Sequence, residues 1–436
     1  MLHDPGSYSP PVDHDEIALT PADREVLRRV ADELAGIAAL SVHRETAELW
    51  RRTNDLDSHR PMVWINEVPW HEMNVDDELT NLTTHPWARE LETRLRRTIY
   101  QWKHFPADMV VNDFIECPMV IHSTDFGIHE DVDVARTDEG NDIVSRHYHI
   151  QIASEEDLEK ISMPVVTHNE RMTELACSVM EDLFSDIMPV RVVGQSHIWF
   201  TPWDYLIRWT GVQEAMIALY EQPDLIHAAV DRMVDAWMAE LDQFVEQNLL
   251  ALDCNNTRVG SGGYGYVSEL PGNDYDPDRV APHNMWGCSN AQIFSEVSPQ
   301  MHWEFALEHD MRWLERWGLT YYGCCEPLQN KLDLMRRIPN LRKISVSPWN
   351  DFSRILPGIA GDYVASVKPN PAVFVDDAFS PEQARAALEE AVRAGGDFSH
   401  IEIIMKDIST VRYQPRNLWE WSRIAMDVAR KAERRR

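Results

Sequence analysis

Cysteine is scarce: six residues in a chain of 436, with no Cys-x-x-Cys pair. That is too few for a disulfide scaffold, and it excludes a closed structural zinc site built on such pairs. Positive charge is also short. There are 41 Lys plus Arg against 72 Asp plus Glu, a net charge of −31, and only seven of the 41 basic residues are lysine. A chain so acidic, without a compensating basic patch, gathers no counterion-release energy from nucleic acid or anionic lipid, so neither is an expected partner. The basic run Arg434–Arg436 reads as a solvated tail. No segment has the ~18 consecutive apolar residues of a membrane span. Met1–Ala18 has neither a positively charged start nor an apolar run, so no secretory signal is expected there. The expected compartment is the reducing cytoplasm, with the thiols free. Gly-x-Ser-x-Gly, His-Glu-x-x-His and EF-hand patterns are all missing, which argues against a serine hydrolase, a zincin and a calcium sensor.

What is present is a globular composition, 44% hydrophobic and 26% charged. Thr20-Pro21-Ala22-Asp23 reads as an N-cap followed by proline at the first helical position, opening a helix to about Leu40; a second helix covers about Arg44–Thr53. A rhythm follows. Short apolar runs at Met62–Ile65, Met109–Val111, Val190–Val193, Leu249–Leu252, Leu319–Tyr322, Ile344–Val346, Tyr363–Val367 and Ile401–Met405 alternate with helical patterns. Continuous apolar strands between helices predict a parallel sheet covered on both faces. Eight such units predict an α/β fold, a (β/α)8 TIM barrel over residues 56–436, preceded by an N-terminal helical arm over 1–55. Two doubly wound domains are the alternative. Segments 114–168 and 254–298 break the rhythm and are expected to be strand-containing insertions or lids.

In a barrel the chemistry lies at the C-terminal ends of the strands. Polar groups recur there: Asn66-Glu67, Asn112-Asp113, His197, Asp253-Cys254-Asn255, Cys324-Cys325-Glu326, Trp349-Asn350, Lys368 and Lys406-Asp407. The sharpest element is Tyr321-Tyr322-Gly323-Cys324-Cys325-Glu326, two thiols and a carboxylate where a strand meets a helix. Free N–H groups at a helix start favour the thiolate, which is also a zinc ligand. Cys324 and Glu326 are the candidate metal ligands, with His197 and Cys254 as further donors; inert buried cysteine is the plain alternative. Glu67, Asp113, His197 and Lys406 are candidates for proton transfer or substrate positioning. His147 and His149 share one strand face, which is more often a half-exposed surface than a metal site. Gly260-Ser261-Gly262-Gly263-Tyr264-Gly265-Tyr266 lacks the Lys and Ser/Thr of a phosphate loop and reads as a flexible lid or a turn-rich connection, with Tyr264 and Tyr266 as substrate walls. Trp64, Asn66, Trp70, Asn255, Tyr322 and Trp349 complete the expected substrate-binding set, although core packing is the ordinary role of each tryptophan.

The stretch Leu319-Thr320-Tyr321-Tyr322-Gly323-Cys324-Cys325, with Ile338-Pro339-Asn340-Leu341-Arg342-Lys343-Ile344-Ser345 after it, resembles the uroporphyrinogen decarboxylase superfamily. It is most similar to the branch of zinc- and corrinoid-dependent methyltransferases, over roughly residues 55–430. That resemblance implies a (β/α)8 barrel and transfer of a methyl group from a small methylated substrate to a corrinoid protein or a thiol. It implies zinc as metal, cobalamin carried by a partner protein, and a homodimer as one assembly. Tyr322 stands where that branch has a zinc-binding His, and no Cys follows Cys325. Arg60-Pro61-Met62-Val63-Trp64 resembles the first strand of true decarboxylases, but the Arg pair that holds porphyrinogen carboxylates does not follow it. A metal-independent decarboxylase using Asp113 is the alternative activity, and a barrel that only binds a corrinoid or partner is a third reading. With −31 of charge, a neutral or cationic methyl donor is expected over a polyanionic tetrapyrrole.

Overall fold

In the computed structural model, residues 14, 16–135, 145–376 and 378–433 are described; the arm before residue 14 and the Arg434–Arg436 tail lie outside that set. The first helix, α1 (Pro21–Ala38), begins as its capping sequence dictates. The Thr20 hydroxyl accepts the Asp23 N–H at 3.1 Å, and the Asp23 carboxylate accepts the Thr20 N–H at 3.1 Å. After α2 (Val42–Asn54) comes β1 (Met62–Ile65) and then α3 (Pro86–His104). The segment expected to be an insertion holds β2 (Ile115–Pro118), β3 (Ile121–Ser123), β4 (Val132–Ala135), β5 (Ser145–Tyr148) and β6 (Val166–His168). Next come α4 (Glu170–Phe184), β7 (Val190–Val193), α5 (Pro202–Thr210), α6 (Val212–Glu221) and α7 (Pro223–Glu246). The C-terminal half runs β8 (Trp286–Ser289), α8 (Pro299–His302), α9 (Glu308–Leu314), β9 (Leu319–Tyr322), α10 (Leu332–Met335), β10 (Leu341–Val346), α11 (Phe352–Ile359), β11 (Val364–Val367), α12 (Pro381–Gly395), β12 (His400–Met405) and α13 (Pro415–Lys431).

Six strands form one wholly parallel sheet in the order β1-β12-β11-β10-β9-β8. β1, β8, β9, β11 and β12 are buried at every position, as a sheet covered on both faces requires. β2 and β7 pair in parallel separately; β3–β6 and β4–β5 are small antiparallel pairs.

Two of the eight expected strands do not form, and the closed eight-stranded sheet is corrected accordingly. Among the described residues no ladder joins β1 to β8. Each edge is occupied by an aspartate. At β1, the Asp108 carboxylate accepts the Val63 N–H at 2.8 Å, the Asp108 N–H donates to Val63 O at 2.8 Å, and Arg60 neutralises the buried carboxylate at 2.5 Å. The run at 109–111 therefore leaves the edge without pairing. At β8, the Trp286 N–H donates to both Asp253 oxygens at 3.0 and 3.1 Å. Residues 249–252 keep a single parallel bridge, Gln195 to Leu250. A side-chain carboxylate takes the place of a strand at both edges. A second correction concerns 254–298, which supplies β8, a fully buried strand of the main sheet.

The sheet is strongly curled. Side chains from β10 and β12, and from beyond β9 and β12, meet across its concave face. In a flat sheet β9 and β12 would lie ~14 Å apart, three strand spacings.

Candidate active site

The residues just past the strand ends converge. Cys324, two positions beyond β9, is buried, and its Sγ accepts a hydrogen bond from Lys406 Nζ, one position beyond β12, at 3.3 Å. Cys325 Sγ lies 3.6 Å from Cys324 Sγ and 3.9 Å from Asp407 Oδ2. Lys406 Nζ also reaches Asp407 Oδ2 at 3.0 Å. The Cys325 thiol and the Lys406 ammonium hold the Cys324 thiol below its ordinary range, against burial. The same sulfur–sulfur hydrogen bond, with burial, pushes the Cys325 thiol up. Burial opposes the charge on Lys406, but Cys324, Glu67 and Asp407 keep it protonated. The arrangement is a thiol shifted towards its thiolate form beside an ammonium, with a second thiol shifted towards its neutral form.

Glu67 is the next component. Its Oε1 accepts from Arg258 at 2.7 Å and its Oε2 from the Asp407 N–H at 3.0 Å. Burial would raise its pKa, yet Lys406 and Arg258 hold it ionised. Glu67 and Asp407 both adopt left-handed backbone, φ +52 and +56. Non-glycine residues held there at two neighbouring strand ends are the kind of strain that gathers at functional sites. Glu326 fixes the loop: its oxygens accept the Cys324 N–H at 2.9 Å and the Ala291 N–H at 3.1 Å, tying the ends of β8 and β9 together.

Beneath this layer lies a buried polar network. Lys368 Nζ, just past β11, donates to the Tyr321 hydroxyl at 2.5 Å and to Ser366 Oγ at 2.6 Å; burial drives its pKa down to about 7. The Tyr321 hydroxyl also meets Ser261 Oγ at 2.8 Å. Lys343 and Glu402, both fully buried, pair at 2.9 Å, and Glu402 accepts the Gly263 N–H at 3.0 Å. The glycine-rich loop is thus clamped inside the curled sheet and is no flexible lid. A Cβ on Gly263 would come within 2.4 Å of the Trp50 ring, and one on Gly265 within 2.1 Å of Asp253 O, so the close fit demands glycine.

Of the residues singled out in the sequence, Glu67, Cys324, Glu326 and Lys406 come together. Asn66 lies beside them, donating to Gly262 O at 3.1 Å. Trp64 and Tyr264 pack ring to ring, centroids 5.0 Å apart, at the base of the glycine loop, with Tyr266 next to Tyr264. His197 stands near that loop: its Nε2 accepts the Gly260 N–H at 3.1 Å, with Cys288 Sγ at 3.6 Å. Asn255 closes a turn, accepting the Thr257 N–H at 2.7 Å. Four residues lie elsewhere. The Asp113 side chain is 81% exposed and 3.9 Å from Arg191. Trp349 is 66% exposed. Trp70 packs against Tyr100 beneath Arg97. Tyr322 turns to the other face, where its hydroxyl meets His302 Nε2 at 2.5 Å. Tyr321 is the β9 tyrosine that faces the interior, since successive strand residues point to opposite faces. His149 sits between Asp131 and Asp133 on the exposed β4–β5 hairpin.

The sequence assigns no individual role to Tyr321, Lys343, Arg258 or Ser261. The scarcity of lysine carried the signal: four of the seven, Lys331, Lys343, Lys368 and Lys406, are buried.

The donor set does not fit zinc. Cys324 Sγ faces an ammonium, both Glu326 oxygens accept backbone N–H groups, and Tyr322 lies on the opposite face. Among the described residues no group of three or more His, Cys, Asp or Glu side chains is placed to hold a metal ion. Nor is any helix among them long and apolar enough to cross a membrane.

No protein-family model and no curated protein matches the chain. Among solved structures, the chain is similar to a methyltransferase from Methanosarcina mazei, at 10% identity and a TM-score of 0.48, covering 88% of this chain and 98% of that one. At that level the likeness speaks for neither substrate nor chemistry.

Proposed function

We propose that the protein is a methyltransferase that takes a methyl group from a small, neutral or cationic methylated substrate at the Cys324–Lys406 pair. The single observation that carries this reading is the buried Cys324 sulfur, hydrogen-bonded by Lys406 at 3.3 Å. It stands in the segment whose sequence resembles the corrinoid-dependent branch of the uroporphyrinogen decarboxylase superfamily. In this reading the curled sheet and the β2–β7 pair are parts of one (β/α)8-type barrel, with Asp108 and Asp253 occupying its seams.

A thiolate is the nucleophilic form of cysteine, and an adjacent ammonium favours it at neutral pH. In the first half-reaction the Cys324 thiolate attacks the methyl carbon of the donor. The S–C bond forms as the bond from carbon to the donor heteroatom breaks. The heteroatom leaves with the electron pair: from a cationic donor it departs neutral and needs no proton, and from a neutral donor it takes one from Lys406, whose hold on its proton weakens once the Cys324 charge is gone. Glu67 and Asp407 hold Lys406 in place, and Glu326 fixes the Cys324 backbone so that the sulfur is aimed before the substrate arrives. A reduced corrinoid on a partner protein, or a second thiolate, would then take the methyl from Cys324 as the S–C bond breaks, releasing the Cys324 thiolate. No step is assigned to zinc.

The test is incubation with isotopically methyl-labelled methylamines, methyl sulfides and methyl ethers, followed by peptide mass mapping and by assay of label on added cobalamin in its reduced state or on a thiol. Label on Cys324, or transfer abolished in Cys324→Ser, is the expected result. Transfer that proceeds unchanged in Cys324→Ser contradicts the reading. A lyase finds less support, because Asp113, its candidate residue, is exposed on the surface beside Arg191.

A further inference from the structure

One cavity lies away from the Cys324 pair. It lies between α5, α6, α7 and residues 150–153, with a volume of about 240 Å³. Its inner wall is aliphatic, including Leu206, Ala215, Ile226 and Ala229, all buried. Among the described residues the charged lining groups are two carboxylates, Glu214 and Glu221, both on the exposed side of α6. Neither has an ion-pair or hydrogen-bond partner among the described residues. An apolar cavity of ~150 Å³ already takes up benzene, so this one has room for a chain of roughly six to ten carbons. Two unpaired carboxylates at the mouth of such a space select the head group.

We propose that this cavity is a second ligand site, which takes a small amphiphile with one cationic head: an alkyl- or arylalkylammonium whose tail enters between α5 and α7 and whose ammonium meets Glu214 and Glu221. The tail leaves water for an aliphatic pocket, the usual driving force for small ligands. The head gains the attraction of two exposed carboxylates that no side chain among the described residues pairs. A bulky peptide or a second copy of the chain fits the enclosed inner wall less well. The site is independent of the methyl-transfer reading, since no residue is shared. α5 separates the two regions: Trp203 and Leu206 line the cavity, whereas the neighbouring Asp204 accepts from Gln292 at 2.6 Å, towards the end of β8.

The experiment is calorimetric titration of the full chain with n-hexylammonium and with hexanoate, at moderate salt so that the global −31 charge is screened over about 8 Å. Saturable one-to-one binding of n-hexylammonium, at least tenfold tighter than hexanoate, is expected. Glu214→Gln with Glu221→Gln, a surface change that leaves the fold intact, should reduce that preference at least fivefold. Ala229→Phe, which fills the inner end, should abolish binding of both probes; Ala218→Leu at the rim serves if Ala229→Phe does not fold. Equal affinity for the two probes overturns the proposal, as does a preference that survives the double substitution. A dimer that buries this face and separates on Ile217→Glu would assign the surface to self-association instead.

Discussion

At the residue scale, the account turns on which side chains a strand sends inward. Tyr321 and Tyr322 are adjacent and chemically identical, and the sequence favoured Tyr322 because of the motif it resembles. The strand alternation sends Tyr321 to Lys368 and Tyr322 to His302. Parity of this kind depends on register, which composition does not contain. Cys324, Glu67 and Lys406 were legible because each lies within two residues of the end of an apolar run. Arg258 was not, since its partner Glu67 is 191 positions away. The buried Lys343–Glu402 pair gives a sharp prediction. Lys343→Met leaves an uncompensated carboxylate below the glycine loop and should cost about 3–5 kcal/mol, by the usual penalty for breaking a buried pair. Chemical denaturation measures it. Lys343→Met combined with Glu402→Leu should recover a substantial part of the loss; no recovery would mean that the loop contacts, and not the charge, hold this region.

At the element scale, half of the twelve described strands, β1, β7 and β9 to β12, could be read from the apolar runs. β1, β7 and β9 have the bounds the apolar runs predict. The failures share a cause. Runs 109–111 and 249–252 are apolar enough to be strands, but Asp108 and Asp253 place carboxylates where ladder partners would be. Hydrophobic pattern reports burial and not pairing. β8 was missed because Trp-Gly-Cys-Ser is too short and too polar to read as a strand, although all four residues are buried. Asp108 tests this view. Asp108→Ala strands the half-buried Arg60 and frees the Val63 N–H, and should destabilise the protein by about 3–5 kcal/mol. Asp108→Asn, which keeps an acceptor for Val63, should cost less. Equal losses in urea denaturation would show that the ion pair alone matters, and that the edge is not held by the hydrogen bond.

At the scale of the whole molecule, 72 acidic residues against 41 basic ones leave the folded state under self-repulsion. The interior runs the other way: three lysines line the concave face of the sheet, and two pair with acids while Lys368 is drawn towards neutrality. Salt should therefore raise the thermal midpoint between low and moderate ionic strength by screening the surface, with little effect on the dry interior pairs. A midpoint that falls with salt would place the dominant electrostatics in exposed ion pairs. The inner charges also bear on the chemistry, because the Cys325 thiol and the Lys406 ammonium lower the Cys324 thiol against a burial that would raise it.

The most direct test is the pH dependence of Cys324 alkylation, followed by mass mapping in the native protein and in Lys406→Met. Its thiol is predicted to titrate below the ordinary 9.0, with reactivity rising through that lower midpoint as pH increases, and with the midpoint moving up once the ammonium is removed. A midpoint at or above 9.0 in the native protein, or one that Lys406→Met leaves in place, would contradict a thiolate held by Lys406.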